Sequence, residues 1–306
     1  MGITDSIINY RRSLKRRNFS KYTIRIYMST LKQFVIWLEV PIHKVTHQKL
    51  VGFSDDLLAK RLKPTTITVY LDSIRGFYAH LLCEEQLKML HPVYIGDTLR
   101  MSKPLPRFLT DEQVRVLFAH IDDPRDLAIF KLMLRCGLRV QEVAKLTLAS
   151  VDLKRAQVFV YHGKGAKERV VYLSKDAYQA LLGYLKVRPF SRAKRLFLVN
   201  KGRFRGQPLN VRGIQHRIKY YSKKAGFKVS CHQLRHTMAT QMLNADADLV
   251  TIQDLLGHAY ITTTERYCRV SNQKVRRDYY RAMDKVVERH SKAGNKRLDK
   301  EEILIN

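Results

Sequence analysis

The sequence predicts a mainly α-helical protein with a small β-sheet, an α+β chain divided into two domains. Its 306 residues exceed one ordinary domain and are enough for two, each with its own core. Over most of the chain, apolar residues recur at steps of three and four, which is the period of an amphipathic helix. Only one segment carries a clear signal for paired strands.

The first hundred residues are predicted to form about four helices. In NFSKYTIRIYMSTLKQFVIWLE the apolar side chains share one helical face, and Ser20 is a suitable N-cap. The stretch KPTTITVYLDSIRGFYAHLL carries a second apolar stripe after Pro64, a residue type favoured in the first helical turn. A shorter helix is expected from Thr46 to Ala59, and Leu90-His91-Pro92 is expected to end the last helix.

The pattern changes after Phe108. A capping box is predicted at Thr110, and the apolar helix DPRDLAIFKLMLRCG is expected to end at Gly137. VFVYHGKGAKERVVYL contains two short β-branched runs around a Gly-rich turn, which is the pattern of a β-hairpin. Helices and basic loops are expected afterwards, with a last helix near 272–289. The predicted boundaries are a helical domain over 1–100, a linker with two prolines over 101–107, a second domain over 108–290 and a flexible tail over 291–306.

The net charge predicts a polyanionic partner. Lys and Arg number 57 against 27 Asp and Glu, a formal charge of +30, while 45% of residues are hydrophobic, so the chain is a folded cation and not a disordered basic tail. Nucleic acid is the most common partner of such a field. No acidic residue stands between Asp176 and Asp246, which we interpret as a surface that contacts phosphates. Charge alone leaves open a ribosomal or chromatin-type structural protein.

The cysteines and the hydropathy pattern indicate the cellular compartment of the protein. Cys83, Cys136, Cys231 and Cys268 are scattered without CxxC spacing, which predicts small buried side chains in a reducing cytoplasm and no disulfide or zinc framework. No apolar run approaches the ~20 residues of a membrane span, and the N-terminus has no apolar signal-peptide core. We therefore expect a cytoplasmic, nucleoid-associated protein with no membrane partner.

Five short motifs contain the residue types that phosphodiester cleavage without a metal needs. Such a reaction requires a nucleophile, cations around the phosphoryl oxygens and an acid for the leaving oxygen. The motifs are CGLRVQE with Arg139 and Glu142, HGKGAKE with Lys164, HQLRH with His232 and Arg235, LGH with His258, and TTERYCRV with Tyr267. Each is weak alone, because Arg139 could cap carbonyls or pair with Glu142, Lys164 could be a solvated loop lysine, and Tyr267 is one of 16 tyrosines.

Two other chemistries fit these motifs poorly. GKG lacks the frame of a nucleotide-binding P-loop and stands in a predicted hairpin, so a P-loop is rejected. A metal-dependent nuclease needs clustered carboxylates, yet the segment with His232 and Arg235 has no acidic residue. We therefore expect no metal and no other cofactor.

In chain order, the motifs resemble those of the tyrosine recombinases, also called phage integrases, and most closely their Xer-like branch. The resemblance rests on CGLRVQEVAKLTLASVDL, GKGAKERVVYL, HQLRHTMAT and LLGHAYITTTERYCRV. The helical stretches that start at Ser20 and at Lys63 are similar to the family's core-binding domain, so the likeness covers nearly the whole chain. It implies a SAM-like core-binding domain over 1–100 and a catalytic domain over 108–290, which together form a C-shaped clamp on double-stranded DNA.

The resemblance also implies how the phosphate is bound. Arg139 and Arg235 would contact the non-bridging oxygens of the scissile phosphate, which suits the planar charge of guanidinium. Glu142 matches an acidic position that supports the site. His232 would hydrogen-bond the phosphate or take the tyrosine proton, and His258 would support an oxygen of the transition state.

The remaining two residues would make and break bonds. By the same resemblance, Tyr267 would attack the phosphorus and leave a 3′-phosphotyrosyl link, while Lys164 would protonate the departing 5′-oxygen. A phenol has a pKa of ~10, so it needs a nearby base or a strong positive field to react at neutral pH. The covalent link conserves the energy of the broken bond, and no ATP is required.

Assembly follows from the resemblance as well. The family acts as a homotetramer on two recombination sites and exchanges strands in pairs through a Holliday junction. One alternative is a type IB topoisomerase, which uses a tyrosine but acts as a monomer on one duplex. The other alternative is a non-enzymatic DNA-binding protein, which would keep the basic surface without needing the catalytic residue types.

Overall fold

The computed structural model describes residues 2–97, 99, 106–161, 168–258, 260–265, 267 and 279–284. The chain divides into two compact units, Met1–Lys103 and Pro104–Asn306. Most of the described secondary structure is helical, and one small antiparallel sheet accompanies it, as the sequence predicts. None of the helices in these ranges combines the length and the hydropathy that crossing a bilayer requires.

Unit 1 is built from four helices around an aromatic and aliphatic core. They are α1 (Ile3–Arg16), α2 (Lys21–Trp37), α3 (His47–Ala59) and α4 (Pro64–Cys83). The Ser20 hydroxyl accepts the N–H of Thr23 and so caps α2, and Pro64 occupies the first turn of α4. α1, α2 and α3 all pack against α4, whose Ile74 and Phe77 are completely buried. The predicted number of about four helices is confirmed, and so are the three segments that the sequence located.

Two predictions for unit 1 are wrong. α4 ends at Cys83, not near Leu90, because Gln86 adopts a left-handed φ of 52° and the N–H of Leu87 bonds back to the carbonyl of Leu81. Cys83 is exposed at this helix end, whereas Cys136 and Cys231 are buried as expected. Cys268 lies outside the described residues.

Unit 2 contains eight complete helices and three strands within the described ranges. They are α5 (Asp111–Ala119), α6 (Pro124–Arg135), α7 (Val140–Lys145), β1 (Val151–Asp152), β2 (Gln157–Val160), β3 (Arg169–Tyr172), α8 (Lys175–Val187), α9 (Val211–Lys224), α10 (Cys231–Asn244), α11 (Leu249–Leu256) and α12 (Thr262–Glu265). Residues 279–284 are also helical. The predicted helix near 272–289 otherwise lies outside the described residues, as do 101–105 of the predicted linker and the tail over 291–306.

The central helix of unit 2 is α6, which packs against α8 and α10. Its Ala128, Phe130, Leu132 and Leu134 are completely buried, so nearly every side of the helix contributes to the core. β2 and β3 pair antiparallel with Val160 opposite Arg169, which confirms the predicted hairpin. Two residues of β1 add a third strand. Lys164 stands between β2 and β3 in the sequence and lies outside the described residues.

Helix ends in unit 2 follow local chemistry. Thr110 and Gln113 form the predicted capping box at the start of α5. Gly137 follows α6 with a left-handed φ of 63°, and a Cβ at this position would lie 2.8 Å from the Leu256 side chain. The left-handed backbone conformation therefore favours glycine at 137, and a Cβ there would also displace the Leu256 side chain.

Candidate active site

Residues from separate motifs converge on the C-terminal end of α11. Arg139 is the N-cap of α7, and Arg235 lies in the second turn of α10. His258 directly follows Gly257, which ends α11 with a left-handed φ of 60°. Tyr267 follows α12, and its N–H donates to the Thr264 carbonyl at 2.9 Å.

Three guanidinium groups donate to three consecutive carbonyls at this helix end. The donor and acceptor pairs are Arg169 with Leu255 at 2.8 Å, Arg235 with Leu256 at 2.5 Å and Arg139 with Gly257 at 3.4 Å. The last carbonyls of a helix have no intrahelical partner and carry partial negative charge, so cations are stabilised there. The same interactions fix the position of the backbone immediately before His258.

Glu142 holds two of these arginines in place. Its carboxylate accepts from Arg139 at 2.8 Å and from Arg169 at 3.0 and 2.9 Å, and it also accepts the backbone N–H of Arg139 at 2.7 Å. Burial alone would raise its pKa, but hydrogen bonds from Arg169 and Arg139 outweigh burial and lower the pKa of Glu142 to about 2. Glu142 is therefore an anion at neutral pH, shared by two cations.

Arg235 is a buried cation beside a second cation. Only 1% of the residue is exposed, and its guanidinium also donates to the Gly137 carbonyl. Burial, and next the charge of Arg139, lowers the pKa of Arg235 to about 9, while Glu142 opposes the shift. The group remains protonated at neutral pH.

His258 is a neutral side chain in these surroundings. Burial lowers its pKa to about 3, and the nearby charges of Arg235 and Arg139 act in the same direction. Its Nδ1 lies 2.9 Å from the hydroxyl of Thr264, which is completely buried. Thr264 thus fixes the orientation of the imidazole ring.

The Tyr267 hydroxyl lies 2.7 Å from Nδ1 of His236. Tyr267 is 2% exposed and belongs to a small apolar cluster with Met238 and Leu256. Its ring is parallel to that of His258, with 6.5 Å between the ring centroids. On α10, the exposed His232 packs edge-on against His236 with ring centroids 4.1 Å apart.

Two residues of this cluster were not selected by the sequence reasoning. His236 is the last residue of HQLRH, and Arg169 stands within GKGAKERVVYL. The spacing of four between His232 and His236 was a usable signal, because such residues share one helical face. Arg169 offered no local signal, since its partner carbonyl lies 86 positions away.

Lys164 is the one predicted site residue outside the described residues. The other five predicted residues, Arg139, His232, Arg235, His258 and Tyr267, all lie in unit 2. Across the described part of the chain, no group of three or more His, Cys, Asp or Glu side chains has an arrangement that could hold a metal ion.

The basic stretch between Asp176 and Asp246 is mostly surface. Its exposed cations are Lys186, Arg192, Lys194, Lys201, Arg203, Arg205, Arg212, Lys219, Lys223, Lys224 and Lys228. Four arginines of the stretch instead contact the protein. Arg235 belongs to the site, Arg188 and Arg195 bind backbone carbonyls, and Arg217 pairs with the buried Asp126. The interpretation of the whole stretch as a phosphate-binding surface therefore needs correction for Arg188, Arg195 and Arg217, whose guanidinium groups bind the protein itself.

Comparison with known proteins identifies the family. The profile of the phage integrase family matches residues 107–274, and that of the phage integrase N-terminal SAM-like domain matches residues 7–85. The chain belongs to the phage integrase family. The resemblance seen in the sequence is thereby confirmed. Relatives named tyrosine recombinase make this a family of DNA strand-transferring enzymes.

Among relatives of this phage integrase, the tyrosine recombinase XerC of Thermodesulfovibrio yellowstonii is 34% identical over 280 residues, which is 86% of this chain and 91% of the relative. The XerA recombinase structure is 26% identical, with a TM-score of 0.53 over 91% of this chain and 98% of that one. A lambda integrase dimer bound to a COC′ core site has a TM-score of 0.73 over 89% and 96% of the two chains. Its 16% identity shows a shared fold alone.

Proposed function

We propose that this phage integrase is a site-specific DNA recombinase whose Tyr267 attacks the scissile phosphate and forms a 3′-phosphotyrosyl link. The observation that carries the proposal is the convergence of Tyr267 with Arg139, Arg235 and His258 at one helix end of one chain. These residues supply a nucleophile, two permanent cations and a neutral hydrogen-bond donor. Because they belong to the same chain, we infer that each protomer cleaves with its own tyrosine.

Arg139 and Arg235 are the proposed ligands of the non-bridging phosphate oxygens. Each uses only part of its N–H donors on carbonyls and Glu142, so donors remain for a phosphate. His232, exposed at the start of α10, is the proposed third contact of the same phosphate. Since Arg235 and Tyr267 are almost fully buried in the free chain, the site has to open when DNA binds.

His258 is the proposed neutral donor to a transition-state oxygen. If the Thr264 hydroxyl donates to Nδ1, the proton of the neutral ring is on Nε2 and is available for hydrogen bonding. Lys164 of the β2–β3 turn is the proposed acid that protonates the departing 5′-oxygen. An alkoxide is a poor leaving group near neutral pH, so this proton transfer is needed.

DNA recombination sites are the proposed substrate, bound by the exposed cations of unit 2 and by unit 1. We further propose a homotetramer on two sites that exchanges strands in pairs through a Holliday junction. The XerC likeness over most of the chain supports both statements. Mass photometry of the protein with its DNA site tests the assembly, and a largest complex with a single protomer would contradict the tetramer.

The function is tested by selecting bound sequences from random DNA, mapping the cleavage positions and placing two copies of the mapped site in one plasmid. Recombined plasmid from the unaltered protein, absent with Tyr267→Phe, is the expected result. Relaxation of a one-site plasmid without recombinants would instead favour a type IB topoisomerase. Binding without any strand breakage would favour a non-enzymatic DNA-binding protein.

A further inference from the structure

We propose that His236 is the general base that takes the proton of Tyr267. The inference rests on the proposed function and assigns a residue that the family motifs leave without a role. Its basis is the 2.7 Å contact between Nδ1 of His236 and the Tyr267 hydroxyl. This distance lies within the ~2.6–3.2 Å range in which a base can abstract a proton directly.

The position of His236 is fixed by its helix. Ser230 and Gln233 form a capping box at the start of α10, and the next turn carries Arg235 and His236. Arg235 is anchored to the Gly137 and Leu256 carbonyls. These hydrogen bonds tie α10 to the chain at the C-terminal ends of α6 and α11, and the His236 imidazole faces the Tyr267 hydroxyl.

The other titratable groups near Tyr267 are oriented differently from His236. His258 faces the Tyr267 ring with its Nδ1 on Thr264, and His232 is exposed at the outer side of His236. Burial lowers the pKa of His258, and the charges of Arg235, Arg139, His236 and Arg169 act in the same direction. The charge on Tyr267 also couples to Arg235. A phenolate that forms here therefore lies beside a permanent cation.

A base is needed because only about 0.1% of an ordinary phenol is ionised at pH 7. With the His236 proton on Nε2, the Tyr267 hydroxyl donates to Nδ1. During attack the O–H bond breaks, its proton moves to Nδ1, and the phenolic oxygen bonds to phosphorus. The P–O5′ bond breaks with its electron pair on the 5′-oxygen, which takes a proton from Lys164. In the religation step each proton returns to its origin.

The test measures single-turnover formation of the covalent adduct on a nicked DNA site at saturating protein. His236→Asn keeps a hydrogen-bond acceptor near the hydroxyl but cannot carry the proton, so we expect a loss of roughly 10²-fold or more at pH 7 with unchanged DNA affinity. His120→Asn, at the end of α5, is the control and should react normally. His236→Gln is the second variant if His236→Asn is unstable.

The decisive experiment repeats the adduct measurement with Tyr267 replaced by 3,5-difluorotyrosine, whose phenol is more acidic and depends less on a base. The fluorinated residue should recover at least about tenfold of the rate lost in His236→Asn, and should gain little in the presence of His236. If fluorination leaves the loss undiminished, or if His236→Asn and His236→Gln both react normally, His236 is not the base. No adduct from the unaltered protein would instead overturn the proposed function itself.

Discussion

Arg169 connects three segments of the site at the scale of single residues. It starts β3, forms two hydrogen bonds to Glu142 of α7 and donates to the Leu255 carbonyl at the end of α11. Glu142 and Arg169 are both almost fully buried, with side-chain exposures of 5% and 9%. If a buried carboxylate loses one of its two cations, it remains out of contact with water, and the remaining ion pair no longer offsets the full cost of burying its charge. The backbone before His258 would also lose one of its three anchors.

Arg169→Ala is therefore expected to lower the free energy of unfolding by about 3 kcal/mol, measured by urea denaturation. The matched control is Arg155→Ala, in the turn between β1 and β2. The Arg155 side chain is 75% exposed, and its nearest carboxylate oxygen, on Asp152, is 4.0 Å away. This control should leave stability nearly unchanged. Equal losses in the two variants would show that the Glu142 pair does not stabilise the fold.

The pKa shifts of His258 and Glu142 predict the response of stability to acid. The pKa of His258 is about 3 in the folded chain against an ordinary value of 6.5, so below pH 6.5 the unfolded chain binds a proton that the folded chain does not. The pKa of Glu142 is about 2 against an ordinary value of 4.5, so its contribution is present above pH 4.5 and is lost as pH falls toward 2. Both groups therefore make the fold less stable in acid.

Urea denaturation between pH 7 and pH 5 isolates the histidine. Because His258 is only partly buried, solvent screening keeps its effect below the full ~1.4 kcal/mol per pH unit of one proton, so the free energy of unfolding should fall by at most about 1 kcal/mol per pH unit. His258→Asn should remove that part of the slope. Parallel pH profiles of the two proteins would mean that the histidine is not held neutral.

Sequence motifs predicted a set of candidate site residues but not which of their side chains are in contact. His236 and Tyr267 are 31 positions apart, and Arg169 and Leu255 are 86 apart. Such contacts depend on how α10, α11 and β3 pack, and no local pattern encodes that packing. For Arg139, the sequence suggested either a carbonyl cap or a pair with Glu142, and the structure shows both contacts. Neither contact excludes a role for Arg139 in the proposed site.

At the scale of elements, local chemistry made several boundaries predictable. The capping box at Thr110, the N-cap at Ser20 and the left-handed Gly137 each act within a few residues. The predicted end of α4 was wrong because the apolar pattern continues to Leu90, whereas the chain turns at Gln86, which has a left-handed φ. The two-residue β1 was not predictable, since a strand of that length has no detectable alternation.

The β2–β3 hairpin carries a prediction of its own, because its turn offers both Lys164 and Lys167. Replacing the 5′-bridging oxygen of the DNA with sulfur gives a leaving group that needs no proton. Lys164→Ala should lose roughly 10²–10⁴-fold in cleavage of ordinary DNA and recover most of it on the sulfur substrate. Lys167→Ala should lose little on either. If sulfur rescues Lys167→Ala and leaves Lys164→Ala impaired, the acid has been assigned to the wrong lysine.

At the scale of the whole molecule, the formal charge of +30 is explained by a polyanionic substrate. Composition predicted the partner class, because a cationic field of this size destabilises the free protein through self-repulsion. Composition could not separate surface cations from Arg217 and Arg235, which are held inside unit 2 by Asp126 and by carbonyls. Outside the candidate active site, only the exposed members of the basic stretch are available for the DNA backbone.

DNA affinity should therefore weaken steeply with salt, because each phosphate contact releases counterions. Replacing Arg203 and Arg205 together with alanine should flatten the slope of log K against log salt by about 1 for each phosphate that is no longer bound. The control is the alanine double variant of Lys154 and Arg155, which removes the same charge from an exposed turn outside the stretch. A nearly flat slope in the unaltered protein, or equal changes in both double variants, would count against the proposed surface.

The central claim is tested most directly by a nicked DNA site that traps the covalent intermediate. Digestion and mass spectrometry of the trapped complex should place the nucleotide on Tyr267, attached through a 3′-phosphate. Tyr267→Phe, which removes only the hydroxyl, should bind the same DNA with unchanged affinity and form no adduct. An adduct that persists in Tyr267→Phe and maps to another tyrosine, such as the exposed Tyr279 or Tyr280, would contradict the account.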